Sequence, residues 1–202
     1  MTGTTTSQPF VSAVVLAAGS STRMGCPKLA LPVAGEPMLR RVVAAALGSR
    51  CRDVIVVLGA AAETYRPLLD GLAVRIADNP HHAEGMSSSI RAGVARVVPE
   101  AVGITLLLAD QPFVTPSIID RLLAEAVRQG RRIAAFSYRG VVGPPAYFDR
   151  TLFAELCALS GDRGARVVIE RHTDECILLP LDAAAAADID TPGDLVTLSD
   201  ET

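Results

Sequence analysis

The residues between 16 and 28, Leu16-Ala17-Ala18-Gly19-Ser20-Ser21-Thr22-Arg23-Met24-Gly25-Cys26-Pro27-Lys28, are the types that hold a nucleotide's phosphates. Gly19 and Gly25 carry no Cβ, so the backbone can turn tightly there and come close to a ligand. The backbone of Leu16, Ala17, Ala18 and Gly19 can present N–H groups to phosphate oxygens, and Arg23 and Lys28 can neutralise their charge. The spacing excludes two look-alikes. Five residues separate Gly19 from Gly25, and Lys28 is followed by Leu29 rather than a hydroxyl, so the loop is not a P-loop. The three-glycine dinucleotide fingerprint is also absent. A glycine-rich surface turn with two solvated cations is the plain alternative. The order strand, glycines, cations favours a phosphate site.

Two acidic turns complete the chemistry. The apolar run Ile104 to Ala109 reads as a central buried strand, and it ends in Asp110-Gln111-Pro112. A carboxylate at the carboxyl end of such a strand points into a ligand crevice, where a divalent cation is the usual match for its charge. Near the C-terminus, Asp188-Ile189-Asp190-Thr191-Pro192 forms a second acidic turn. Alternation puts Asp188 and Asp190 on one side of an extended segment, and an Asx-turn before Thr191-Pro192 is the other reading of Asp190. Gly85-Met86-Ser87-Ser88-Ser89 starts a helix and is expected to bring three hydroxyls to the crevice, able to read a base or a ribose. N-capping would need only one of them.

These groups must be positioned by strands and helices that alternate along the chain. Strands are expected at 11–17, 53–58, 73–77, 103–109, 132–137 and 175–179. Helices are expected at 38–47, 64–69, 86–97 and 116–128. Pro37 and Pro116 suit a first helical turn and Thr115 an N-cap. Of the 202 residues, half are hydrophobic but only 4% aromatic, so the core is built of Val, Leu, Ile and Ala. The expected fold is α/β and three-layered, a Rossmann-like, mainly parallel sheet with helices on both faces. Ligands of such sheets bind beyond the carboxyl ends of the strands. Residues 1–10 read as a polar, disordered lead and 11–202 as one domain. The segment 138–166, broken by Gly143-Pro144-Pro145 and Gly161-Asp162-Arg163-Gly164, reads as an insertion or lid over a second substrate.

Composition narrows the partners. The formal charge of −3 gives no case for nucleic-acid binding, and no apolar run approaches a membrane span. Without a secretory n-region or h-region, a cytoplasmic protein is expected. Cys26, Cys51, Cys157 and Cys176 form no Cys-x-x-Cys pair, so neither a zinc site nor a redox dithiol is expected. His81, His82 and His172 lie in polar segments and are expected at the surface.

Four stretches together resemble the MobA-like nucleotidyltransferases, in particular the molybdenum cofactor cytidylyltransferases. They are Leu16 to Gly25; Asn79-Pro80 with Glu84 to Ile90; Ala109-Asp110-Gln111-Pro112; and Gly161-Asp162-Arg163-Gly164-Ala165-Arg166 with Asp188 to Pro192. The resemblance implies a nucleotidyltransferase fold from about Val14 to Leu198. It implies Mg²⁺ held by Asp110 and Asp190, and catalysis by Arg23, Lys28 and Asp110. It implies a nucleotide held by residues 16–19, Arg23, Lys28, Gly85, Ser87 and Ser88. The form Ala17-Ala18-Gly19 is similar to the cytidylyl enzymes, whereas guanylyl relatives carry Ala-Gly-Gly; uridylyl cousins share the alanine form. Asp162, Arg163 and Arg166 would hold the phosphate of the acceptor, a phosphorylated pterin, unless Asp162 serves as a helix cap. The chain departs from the pattern at Gly143-Pro144-Pro145, where molybdopterin-using relatives have Gly-His-Pro. The implied activity is transfer of CMP from CTP to molybdopterin with release of pyrophosphate, and a client molybdoenzyme as partner. The rivals are transfer to another phosphorylated acceptor and a non-catalytic carrier of the molybdenum cofactor.

Overall fold

The computed structural model describes residues 9–20, 24–138, 140–183, 185 and 187–189. In chain order its strands and helices are β1 (Val11–Ala17), β2 (Pro32–Val33), β3 (Glu36–Pro37), α1 (Met38–Leu47), β4 (Asp53–Leu58), α2 (Ala62–Tyr65), β5 (Arg75–Asp78), α3 (Met86–Val94), β6 (Gly103–Leu108), α4 (Pro116–Gln129), β7 (Ile133–Tyr138), β8 (Val141–Asp149), α5 (Phe153–Cys157), α6 (Arg166–Arg171) and β9 (Cys176–Pro180). Short 3₁₀ turns at Lys28–Ala30, Arg66–Leu69 and His82–Glu84 link some of them. Among the described residues, one seven-stranded sheet runs β5-β4-β1-β6-β8-β7-β9, and β2 and β3 form a separate two-stranded ladder.

β1 shows why the layers form. All seven of its residues are buried, as expected for a central strand covered on both faces. Val11, Ala13, Val15 and Ala17 join a core with residues of α1 and α4. Val14 and Leu16 join a second core with residues of α3, α5 and α6 on the opposite face. The period of two in a strand thus divides one apolar run between two helical layers. On the second face α3 lies very close to the sheet: a Cβ at Gly93 would stand 2.4 Å from Val14 Cγ1.

The expected mainly parallel α/β sheet is present, and one expectation is corrected. The segment after Tyr138 is not a lid inserted between elements. It contains β8, which lies within the sheet antiparallel to both β6 and β7. Its sequence hides this because Pro144-Pro145 interrupts the strand pattern. In the ladder Ala146 pairs with Ala135 and Gly143 with Phe136, leaving the two prolines bulged out where they owe no ladder hydrogen bond. At the boundary of the expected lead, Phe10 C=O accepts from Val102 N–H at 2.8 Å, and the Arg52 guanidinium lies 5.7 Å from the Phe10 ring centre. The expected helix 64–69 is a four-residue helix, α2, continued by the 3₁₀ turn Arg66–Leu69. Pro116 opens α4 behind Thr115, whose side chain accepts from Ile118 N–H.

Strand order places the crevice. From β1 the chain moves outward to β4 and β5, then returns to β6 on the other side of β1. β1 and β6 are therefore parallel neighbours at a topological switch point, where crossovers diverge and leave an opening at the carboxyl ends.

Candidate active site

The carboxyl ends of β1 and β6 are tied by a hydrogen bond from Ala109 N–H to Leu16 C=O at 3.1 Å. Beyond it a cavity of about 570 Å³ opens. One wall is Leu16, Ala18, Gly19 and Ser20 of the glycine loop. Leu108 and Asp110 close the β6 side. The third wall comes from His82, Ala83, Gly85, Met86, Ser89 and Asp162. Volume and mixed lining suit a nucleotide-sized ligand.

Lys28 is delivered by the turn Lys28–Ala30, which Leu29 anchors in the core at 4% exposure. Its Nζ donates to Asp110 Oδ2 at 2.9 Å and to Ile189 C=O at 3.0 Å. Ile189 is fully buried and its N–H donates to Asp110 C=O at 3.1 Å. Ile189 is thus strapped over the end of β6, beside the carboxylate that leaves it. Asp188 is exposed there and, after burial, is the second cause raising the Tyr138 phenol above its ordinary range. Arg23 and Asp190 lie outside the described residues.

The chemistry of Asp110 fits a divalent cation. Among the described residues no three His, Cys, Asp or Glu side chains cluster as metal ligands. Mg²⁺ asks for less: one or two carboxylates, with substrate phosphates and waters completing an octahedron. The Asp110 side chain is 26% exposed at the cavity, and only its Oδ2 is held by Lys28.

The three serines divide differently from expectation. Asn79 is buried, and its Oδ1 accepts from His81 N–H at 3.0 Å, which fixes the amide's orientation. Asn79 Nδ2 then donates to Ser88 Oγ at 2.8 Å and Ser89 Oγ at 3.1 Å. Ser88 passes its own proton to Gly85 C=O at 2.8 Å. Ser87 is fully buried and its Oγ has no partner among the described residues. Ser87 and Ser88 therefore do not present hydroxyls to the crevice, because helical spacing turns them into the interior. Ser89 does line the cavity. Since its oxygen already accepts from Asn79, it offers the cavity a donor. The dense run of serines named the helix end but not which of the three faces outward.

Gly85 and Asp162 both reach the cavity, but Arg163 and Arg166 do not line it. The two arginines pair with Glu170, at 3.4 and 2.9 Å, on a separate exposed groove of about 310 Å³. Asp162 accepts from Met86 N–H at the start of α3, so it caps a neighbouring helix rather than its own. All four cysteines are free; Cys26 and Cys157 are exposed, Cys51 is buried and Cys176 half-buried. His81 is exposed and His82 half-buried, while His172 is half-buried between carboxylates.

The MobA-like NTP transferase domain matches residues 13–176, from β1 to the start of β9. The chain belongs to the MobA-like nucleotidyltransferase family. It is similar to purine catabolism protein PucB of Bacillus subtilis, 33% identical over 91% of this chain and 93% of that one. It is as similar to nicotine blue oxidoreductase of Paenarthrobacter nicotinovorans, 32% identical over 92% and 95% of the two chains. Among solved structures, Rv0371c of Mycobacterium tuberculosis superposes with a TM-score of 0.83, at 32% identity over 96% of this chain and all of that one. A structure of the same mycobacterial protein is a complex with manganese. No described helix is long and apolar enough to cross a membrane.

Proposed function

We propose that this protein is a Mg²⁺-dependent cytidylyltransferase that moves CMP from CTP to the terminal phosphate of a molybdopterin acceptor, releasing pyrophosphate. The observation that carries the reading is the Lys28–Asp110 pair beside an open cavity at the β1/β6 switch point. The acceptor phosphate attacks the α-phosphorus in line, so the protein's task is positioning and charge stabilisation rather than covalent catalysis. Backbone groups of residues 16–19 approach the phosphates. The Lys28 ammonium, held by Asp110 without substrate, turns to the phosphate oxygens as negative charge grows there, and Arg23 adds a second cation. Asp110, together with Asp190, would hold Mg²⁺, which when bound neutralises charge across the phosphates. Arg163 and Arg166, paired with Glu170 on the neighbouring groove, would have to leave that glutamate to reach the acceptor's phosphate beside the nucleotide.

Preference for CTP rests on Ala18, whose methyl takes space in the cavity wall that a glycine would leave to a larger base. The chain is also similar to a molybdenum cofactor guanylyltransferase of Rhizobium meliloti, at 28% identity, which makes base and acceptor the points to test. A second reading, transfer to a different phosphorylated acceptor or carriage without turnover, is favoured by Pro144-Pro145 in place of the family's histidine. The same assay decides among these. Pyrophosphate release is measured with Mg²⁺ and molybdopterin for CTP, GTP, ATP and UTP, with the product identified by mass. Turnover with CTP supports the proposal. Turnover with GTP alone keeps the reaction and refutes the base. Nucleotide binding without release favours the second reading. We extend the proposal to a cytoplasmic setting with a client molybdoenzyme that receives the product.

A further inference from the structure

Helix α3 begins at a residue that cannot cap it. Gly85 has no side chain and sits at φ +97° and ψ −179°, a conformation essentially restricted to glycine. The orphan N–H groups of the first turn need partners, and they find them far along the chain. Met86 N–H donates to Asp162 Oδ1 at 3.3 Å, and Ser87 N–H donates to Gly161 C=O at 3.1 Å. The approach leaves no room for side chains. A Cβ at Gly85 would lie 2.4 Å from Asp162 Oδ1 and 2.7 Å from the Gly161 carbonyl carbon, and one at Gly164 would lie 2.6 Å from Met86 Sδ. Two hydrogen bonds thus fasten the Gly161–Gly164 turn to the start of α3, at a distance that only glycine at 85 and 164 allows.

The fastened pieces are walls of the nucleotide cavity. Gly85, Met86 and Asp162 line it opposite Gly19 and Asp110, and Ser89, the one outward serine, follows one turn later on α3. The neighbouring Arg163 and Arg166 face another groove. From this division we infer that Asp162 is a positioning residue of the nucleotide site: its carboxylate holds Met86 and the start of α3 so that Ser89 and the Gly85 backbone meet the nucleotide. The inference rests on reading the cavity as the nucleotide site. It assigns Asp162 an effect on nucleotide affinity and leaves the acceptor's phosphate to the two arginines. Asparagine keeps an oxygen that can accept from Met86 N–H, and alanine does not.

The test uses the full chain with Mg²⁺ and no acceptor, so it is independent of turnover. CTP, GTP, ATP and UTP are titrated calorimetrically into the wild type, Asp162→Ala and Asp162→Asn, and amide exchange is followed at Met86, Ser87 and the β1 core. Expected is about tenfold weaker CTP binding in Asp162→Ala, the scale of one lost charge-assisted contact. Faster exchange is expected at Met86 and Ser87 alone, with most of both effects recovered in Asp162→Asn. Unchanged exchange at β1 shows that the variant is folded. A folded Asp162→Ala that binds CTP as tightly as the wild type overturns the inference while the nucleotide site stands. An Asp162→Asn as weak as Asp162→Ala also overturns it, since charge rather than capping would then be at work. A wild type that binds none of the four nucleotides overturns the nucleotide reading itself, and the inference with it.

Discussion

Replacing Lys28 by alanine separates catalytic charge from structural contact. Among the described residues its ammonium donates to Asp110 Oδ2 and Ile189 C=O, and its side chain is only 12% exposed. The loss to folding is therefore larger than for a solvated loop cation, because the strap at Ile189 and the Asp110 carboxylate both lose a partner. With Asp110 26% exposed, water recovers part of that loss, and about 1–2 kcal/mol remains. For a chain of this size that corresponds to a fall in Tm of roughly 2–8 °C. Removing a donor aimed at developing charge costs much more, about 2.7–4 kcal/mol or roughly 10²–10³ in kcat. Steady-state pyrophosphate release and thermal unfolding on the same preparation compare the two. Lys28→Met, which keeps the apolar stem, is expected to lose turnover equally with a smaller change in Tm. Turnover above a tenth of wild type in either variant would refute the role of the ammonium, as would a loss of activity explained wholly by unfolding at the assay temperature.

Asp110→Asn is expected to raise the Mg²⁺ concentration needed for half-maximal turnover; full activity at limiting Mg²⁺ would remove Asp110 from the metal site. Ser89→Ala is expected to weaken nucleotide binding, whereas Ser87→Ala, which deletes a buried hydroxyl without a partner among the described residues, is expected to leave binding unchanged and stability equal or higher; the reverse order in a titration would refute the assignment of the outward serine. The two ring nitrogens of His172 face two carboxylates that accept from it when it is protonated, Glu155 at 2.7 Å and Glu175 at 3.2 Å, with Arg171 on Glu155 and Arg132 on Glu175. Its pKa is raised, first by the bond to Glu155, and that of Glu155 is lowered, first by the bond to His172. The histidine's contribution is full below its unfolded value of 6.5 and fades as pH rises through the folded value; the glutamate's is full above 4.5 and fades as pH falls through its folded value. The stability lost in His172→Gln is therefore expected to be greatest between these two pH values and to shrink on either side, so a pH-independent difference in denaturation midpoints would refute the pairing.

What the sequence made legible follows from how local each signal is. β1, α1 and β4 appear at the expected residues because an all-buried strand and an amphipathic helix announce themselves within one short window. Asp110 was legible for the same reason: an apolar run that stops at a carboxylate. β8 was not, because Pro144 and Pro145 break the alternation and nothing local marks a strand that will pair antiparallel between β6 and β7. The same limit explains the serines. Helical spacing says that Ser87, Ser88 and Ser89 point in three directions, but which one reaches the cavity depends on how α3 seats on the sheet, where Ile90 and Val94 join the core with Val14, Leu16 and Val57.

Asp162 carries this reasoning furthest. In the sequence it stands beside Arg163 and Arg166 and invites a common role with them. Proximity along the chain is weak evidence for shared function when a turn lies between two elements, because successive side chains leave a turn in different directions. The glycines at 161 and 164 both have positive φ, which bends the chain so that Asp162 meets α3 while the arginines meet Glu170 on α6. One loop therefore touches two recesses through different residues. A ligand that draws Arg163 and Arg166 away from Glu170 would act on the same turn that holds the nucleotide wall, and any change in nucleotide affinity it caused would have to be matched, by linkage, by an equal change in its own.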